Sequence, residues 1–331
     1  MKTMKRAGIL SVAAAMTLSL GLAGCSDSSS EDASSDANGT VDEITIALVP
    51  SSNASDIMGD SEPMTAWLTE ELGITVSAVV TQDYTGAVEA IGSNQAQIAF
   101  LPAMPMAQAV EERNAQPLLQ VVRYGSSTYH TEYITNDPDT YCEDEVVTDE
   151  DGMSWCNGTA EAETGPVALD ALTSIDSDTQ IAFVEESSSS GYIYPMLDLL
   201  NQGFSEDDVN AMFAGSHDGS VLAVYNDQAA VGTVFDDARG TIEDIDDVGE
   251  KVVVFAFSEE IPNDGVVASA DLDADTAQQV ADALTAYVAT EEGAEVLDSL
   301  YEITEFAPAD TEALSVVTDA AEQVLGGYSD E

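Results

Sequence analysis

Hydroxyl groups gather at the loops of this sequence. Residues 187–192 read SSSSGY, residues 124–133 YGSSTYHTEY, residues 215–220 GSHDGS and residues 83–86 DYTG. The serine run is the most telling. Four hydroxyls and a glycine at the entry to a helix offer backbone N–H groups, O–H groups and the positive end of the helix dipole, which together suit an anion. Plain N-capping accounts for one of those serines but not for four. GSHDGS carries His217, one of only two histidines, at a strand-to-helix turn where it could donate a proton or serve the turn alone. Asp236, Asp237 and Asp264 stand in FDD and IPND. Each is either a turn residue or an acceptor for an ammonium, or for the O–H of a protonated oxyanion.

Other chemistries lack their parts. No G-x-S-x-G elbow surrounds any serine, and Ser216, His217 and Asp218 are chain neighbours, whereas a hydrolytic triad converges from separate elements. Two histidines without a ligand cluster make no zinc site. The run DLDAD (271–275) has the look of a calcium loop, but Thr276 stands where that loop requires glycine, so Asp275 reads as a helix N-cap. Neither a metal nor a cofactor is expected.

The elements that position these loops alternate. ITIALVP (44–50), ITVSAVV (74–80), QIAFLP (97–102) and PLLQVVRY (117–124) read as strands. Helices are expected at 61–73, 84–94 and 104–113, giving β-α-β-α-β-α-β and a parallel sheet covered by helices. A second α/β unit follows, with strands at 179–186, 211–215 and 229–235 and helices at 191–203 and 219–227. Strands at 251–257 and 266–270 and helices over much of 275–325 complete the chain. In such sheets ligands sit beyond the carboxyl ends of the strands, where the hydroxyl-bearing loops lie.

The N-terminus and the charge describe the surroundings. Lys2, Lys5 and Arg6 precede an apolar run that ends in Leu22-Ala23-Gly24-Cys25, the layout of an export signal closed by a lipobox, so 1–24 is expected to be a signal peptide and Cys25 the lipidated residue. Residues 25–40, polar and acidic, read as a tether. The chain of 331 residues carries 63 acids against seven cations, a formal net charge of -56. Removing the signal leaves only Arg113, Arg123, Arg239 and Lys251, which excludes nucleic acid as a partner, because its binding needs Lys and Arg to displace counterions. Cys142 and Cys156 bound an acidic stretch and, in an exported chain, read as a disulfide stapling an insertion at 136–165.

The series DYTG, GSSTYHTEY, SSSSGYIYP, GSHDGSVLAVYNDQAAVGTVFDD and IPNDGVV, in this order, resembles the solute-binding lipoproteins of phosphonate, phosphite and phosphate ABC importers. The resemblance implies the bilobal type II periplasmic-binding-protein fold: two α/β lobes with parallel cores joined by a hinge, 41–125 and 240–331 in one and 126–239 in the other. It also implies a non-enzymatic, monomeric, membrane-tethered protein that closes on a small phosphorus oxyanion and delivers it to ABC permease subunits. The ligand-binding residues it implies are Tyr84, Ser127, Thr128, Tyr129, Ser188, Ser189, Ser190, His217 and Asp264, with Asp237 or Asp236 as a further acid. A sulfonate binder and an exported hydrolase are the alternatives. Three features depart from the pattern: His130 where an aromatic often follows the tyrosine, LPAMPM (101–106) in place of a glycine-containing turn, and the cysteine-bounded insertion. Arg123, at a strand end, could add charge or brace the hinge.

Overall fold

The computed structural model describes residues 41–162, 165–242 and 244–326. The expected signal peptide, tether and lipidated Cys25 lie outside the described residues. Among the described residues fifteen strands follow one another as β1 (Glu43–Leu48), β2 (Thr75–Val80), β3 (Ile98–Leu101), β4 (Gln116–Val122), β5 (Thr128–Tyr129), β6 (Thr131–Thr135), β7 (Val147–Thr148), β8 (Ser154–Trp155), β9 (Gln180–Phe183), β10 (Asn210–Phe213), β11 (Val231–Phe235), β12 (Val253–Phe257), β13 (Ile261–Pro262), β14 (Gly265–Ala268) and β15 (Glu305–Pro308). They form two large sheets and one small pair. The first sheet has the order β15-β4-β14-β3-β1-β2, the second β10-β9-β11-β6-β12-β8-β7, and β5 pairs with β13.

Each half is built on parallel strands, as alternating β and α segments require, with an antiparallel edge strand, β15 or β7, and each receives one strand inserted antiparallel into its interior. The chain leaves the first half after β4, and β6 enters the second sheet antiparallel between β11 and β12. It returns after β12, and β14 enters the first sheet antiparallel between β3 and β4. The two crossings run side by side, joined by the β5–β13 pair, Ile261 opposite Tyr129. The expectation of four consecutive parallel neighbours in the first half is corrected accordingly: β4 has only antiparallel partners, β14 and β15.

The boundary expected at residue 240 also moves. β12 is buried along its whole length and finds its two flanks on β6 and β8, in the second sheet, so the chain returns to the first half only after Phe257. The cysteine-bounded insertion is less peripheral than its composition suggests. Cys142 and Cys156 are bonded, and β8 within the insertion pairs parallel with β12.

A third correction concerns the first helix, expected from residue 61 and observed over Ala54–Leu72 with Pro63 inside it. Asn53 is its N-cap, its side chain accepting from Ser55 N at 2.9 Å. The proline costs one helical hydrogen bond but does not end the helix, because Ile57, Met64 and Leu68 on its inner face are buried in the core beneath. The next difference is smaller: the cap of the helix Ala274–Val288 is Asp273, not Asp275.

Candidate functional site

The loops at the carboxyl ends of both sheets meet around a cleft of about 980 Å³. Of the residues singled out in the sequence, Tyr129, Ser190, His217 and Asp264 line it. The cleft also takes in Arg123 and Asp218, which the sequence offered in other roles, and residues it did not single out: Ser51, Ser52 and Asn53 after β1, Thr241 from the second half, and Tyr301 and Glu302 from the end of the helix Glu291–Tyr301. Ser51, Ser52 and Asn53 had a visible signal, a Ser-Ser-Asn run following a strand, hidden by placing the helix start seven residues too late. Glu302 had none. It caps that helix in the left-handed region at φ 57 and enters the cleft only through tertiary packing.

The three serines expected to act together do three different things. The run enters a helix through a π-turn over Ser189–Ile193, and Gly191 is required because a Cβ there would collide with the Val184 side chain. Ser188 is the cap, its Oγ accepting from Gly191 N at 3.1 Å. Ser189 Oγ accepts from Met104 N at 2.9 Å, in the other half of the molecule. Only Ser190 faces the cleft, beside the Tyr129 phenol.

His217 is 3% exposed at the first position of the helix His217–Tyr225. Its Nδ1 accepts from Phe235 N at 3.2 Å, which puts the ring proton on Nε2. Burial, reinforced by Arg123, pushes its pKa down to about 3, so the ring is a neutral donor at any ordinary pH. Tyr84, 1% exposed, begins the helix Tyr84–Gly92, and its buried hydroxyl has no hydrogen-bond partner among the described residues. Burial holds that phenol well above its usual range, with Glu185, Asp264, Tyr129 and Tyr301 adding to the shift. A buried donor without an acceptor is costly; Tyr84 does not itself line the cleft, but Asp264, Tyr129 and Tyr301, which do, are near enough to act on its hydroxyl.

The acids are differently placed. Asp264 holds Arg123, whose Nη2 donates to its Oδ2 at 2.7 Å, while Nη1 reaches Asn263 Oδ1 at 3.1 Å and Nε the Tyr301 carbonyl at 3.0 Å. Arg123 thus braces the crossing and also lines the cleft. Asp237, expected at the cleft, is turned away from it. Both its oxygens accept from Arg239, a fully buried guanidinium that also donates to the Ser154 and Val252 carbonyls and lies 4.5 Å over the Trp155 ring. A buried cation needs a carboxylate, and Asp237 two residues away supplies it. Asp236 pairs instead with His130 Nδ1 at 3.2 Å. Ser127 and Thr128 belong to the crossing: the Ser127 carbonyl accepts from Asn263 N at 2.9 Å, and Thr128 pairs with Pro262.

All four cations of the described chain are held in ion pairs, Arg113 with Glu89, Arg123 with Asp264, Arg239 with Asp237 and Lys251 with Asp247. No group of three or more His, Cys, Asp or Glu side chains able to hold a metal ion occurs among the described residues. The cleft therefore offers hydroxyls, phenols, an imidazole N–H and helix ends. Such aimed dipoles suit an oxyanion in a chain this acidic.

Comparison with known proteins agrees in fold and family. Over 224 residues, 65% of this chain, it is 27% identical to the phosphate-import protein PhnD of Mycolicibacterium smegmatis, and it spans 62% of that relative's length. A binding-protein component of an ABC phosphonate transporter from Pseudomonas aeruginosa superposes with a TM-score of 0.69 at 18% identity, covering 86% of each chain. PhnD1 from Prochlorococcus marinus, solved in complex with methylphosphonate, gives a TM-score of 0.69 at 14% identity over 86% of this chain and 98% of that one. These likenesses establish the type II periplasmic-binding-protein fold. Residues 46–314 match the model of the periplasmic substrate-binding proteins of phosphonate ABC transporters, and the chain belongs to that family.

Proposed function

We propose that this protein captures a small phosphorus oxyanion, a phosphonate or phosphite/phosphate, in the cleft between its halves and delivers it to an ABC permease, tethered to the outer face of the membrane through Cys25. The observation that carries the reading is the set of neutral donors in the cleft, the Ser190 hydroxyl, the Tyr129 phenol and the His217 Nε2–H, beside the unpartnered Tyr84 hydroxyl. The chain holds an anion with dipoles because every cation among the described residues is already paired. Tyr84, Tyr129, Ser190 and His217 are its ligand donors, and Asp264, steadied by Arg123, accepts from the ligand's own O–H. Ser188 and Ser189 support the loop, Ser127 and Thr128 the crossing, and Asp237 the fold. No helix among the described residues is long and apolar enough to cross a membrane, and in this reading a lipid on Cys25 supplies the attachment.

A thermal-shift panel on the purified protein tests the reading, because a ligand that binds only the folded state raises the melting temperature. Phosphite, phosphate, methylphosphonate and 2-aminoethylphosphonate are set against sulfate and methanesulfonate. A rise with one or more phosphorus anions and none with the sulfur anions is expected. A response to the sulfur anions alone, or to nothing in the panel, overturns the assignment.

A further inference from the structure

Helix N-termini carry N–H groups with no intrahelical acceptor and a partial positive charge. Three helices of the first half begin at its contact with the second, and each has such a group answered from across it. Asn53 N, at the start of Ala54–Leu72, donates to Asp218 Oδ2 at 3.1 Å. Tyr84 N, the first residue of Tyr84–Gly92, donates to Glu185 Oε1 at 2.8 Å. Met104 N, in the first turn of Ala103–Arg113, donates to Ser189 Oγ, and that helix has no side-chain cap of its own. In the reverse direction, His217 N opens the helix His217–Tyr225 and donates to the Ser51 carbonyl at 3.0 Å.

Two of these four acceptors are carboxylates that also accept within their own half: Asp218 Oδ1 from Thr241 Oγ1 at 2.8 Å, and Glu185 Oε1 from Ser187 Oγ at 3.2 Å. We propose that Asp218 and Glu185 are positioning residues, which set how tightly a solute is held by capping first-half helices from the second half and so fixing the closed arrangement. Burial raises both carboxyls above their ordinary pKa, as expected of charges enclosed at a contact.

The inference does not depend on which solute is bound, and its main test uses none. Small-angle X-ray scattering on solute-free protein compares wild type, Asp218→Ala/Glu185→Ala, and Asp218→Asn/Glu185→Gln, which keeps a neutral acceptor at each position and serves should the alanine pair fail to fold. The expected result is the smallest radius of gyration for wild type, the largest for the alanine pair and an intermediate value for the Asn/Gln pair. Equal radii for wild type and both variants, or for wild type and the Asn/Gln pair when the alanine pair does not fold, overturn the proposal. With any solute that the panel identifies, dissociation from the alanine pair rises about tenfold, the worth of one to two helix caps, while association is unchanged. A loss confined to association also overturns it, because a cap acting on closure holds the solute and does not recruit it.

Discussion

Three adjacent serines, identical in sequence, hold a cap, a clasp and a donor, and the distinction has measurable consequences. Ser190 and His217 present polar hydrogens to the cleft, so replacing either by alanine is expected to weaken binding of the panel's best phosphorus anion by about 1–3 kcal/mol in calorimetry, the cost of one lost buried partner. Ser188→Ala acts instead on the melting temperature of the free protein, with affinity nearly unchanged. His217 differs from a charged ligand group in a further respect. Because its native pKa lies near 3, it does not titrate between pH 5 and 8, and the affinity carries no histidine step in that window. Asp237 and Asp264 illustrate the reverse. Both were legible as acids at strand ends, but an arginine partner took each, and whether the pair faces inward or into the cleft followed from packing, not from the motif.

At the level of elements, the strands and most helices followed from local pattern, since alternating apolar runs and loop chemistry are set within some ten residues. The crossings did not. β6 and β14 insert antiparallel between strands about a hundred or more residues away, and no short-range period encodes a neighbour that distant. The insertion was read as a stapled surface loop, but its hairpin extends the second sheet and lays Trp155 on the buried Arg239. With the two cysteines separated by 14 residues, reduction is expected to lower the unfolding free energy by about 3 kcal/mol in denaturant titrations with and without dithiothreitol. A loss well below 1 kcal/mol would mean that the hairpin is held by its sheet contacts alone.

For the whole molecule, the acidic charge and the fold meet at Glu302. Burial raises its pKa to about 7 against the pull of Arg123, and Asp298, Asp236 and Asp237 push the same way as burial. The native protein therefore keeps a proton that the unfolded chain releases near pH 4.3, and the stability from this group is complete below that value and is lost as pH rises to about 7. Calorimetric melting temperatures of wild type and Glu302→Gln, measured between pH 5 and 8, are expected to diverge with rising pH, the variant melting higher at pH 8. Parallel curves would place the carboxylate in water. The sequence by itself determined the α/β alternation, the hydroxyl-rich loops at strand ends, the scarcity of cations and, through the order of its motifs, the family, because each is a property of composition or of residues close in the chain. Tertiary structure alone decided which serine faces the cleft, which carboxylates are spent on arginines and which cap helices of the opposite half. Those outcomes rest on packing that brings together groups up to 165 residues apart, and their energies arise only once the chain has folded.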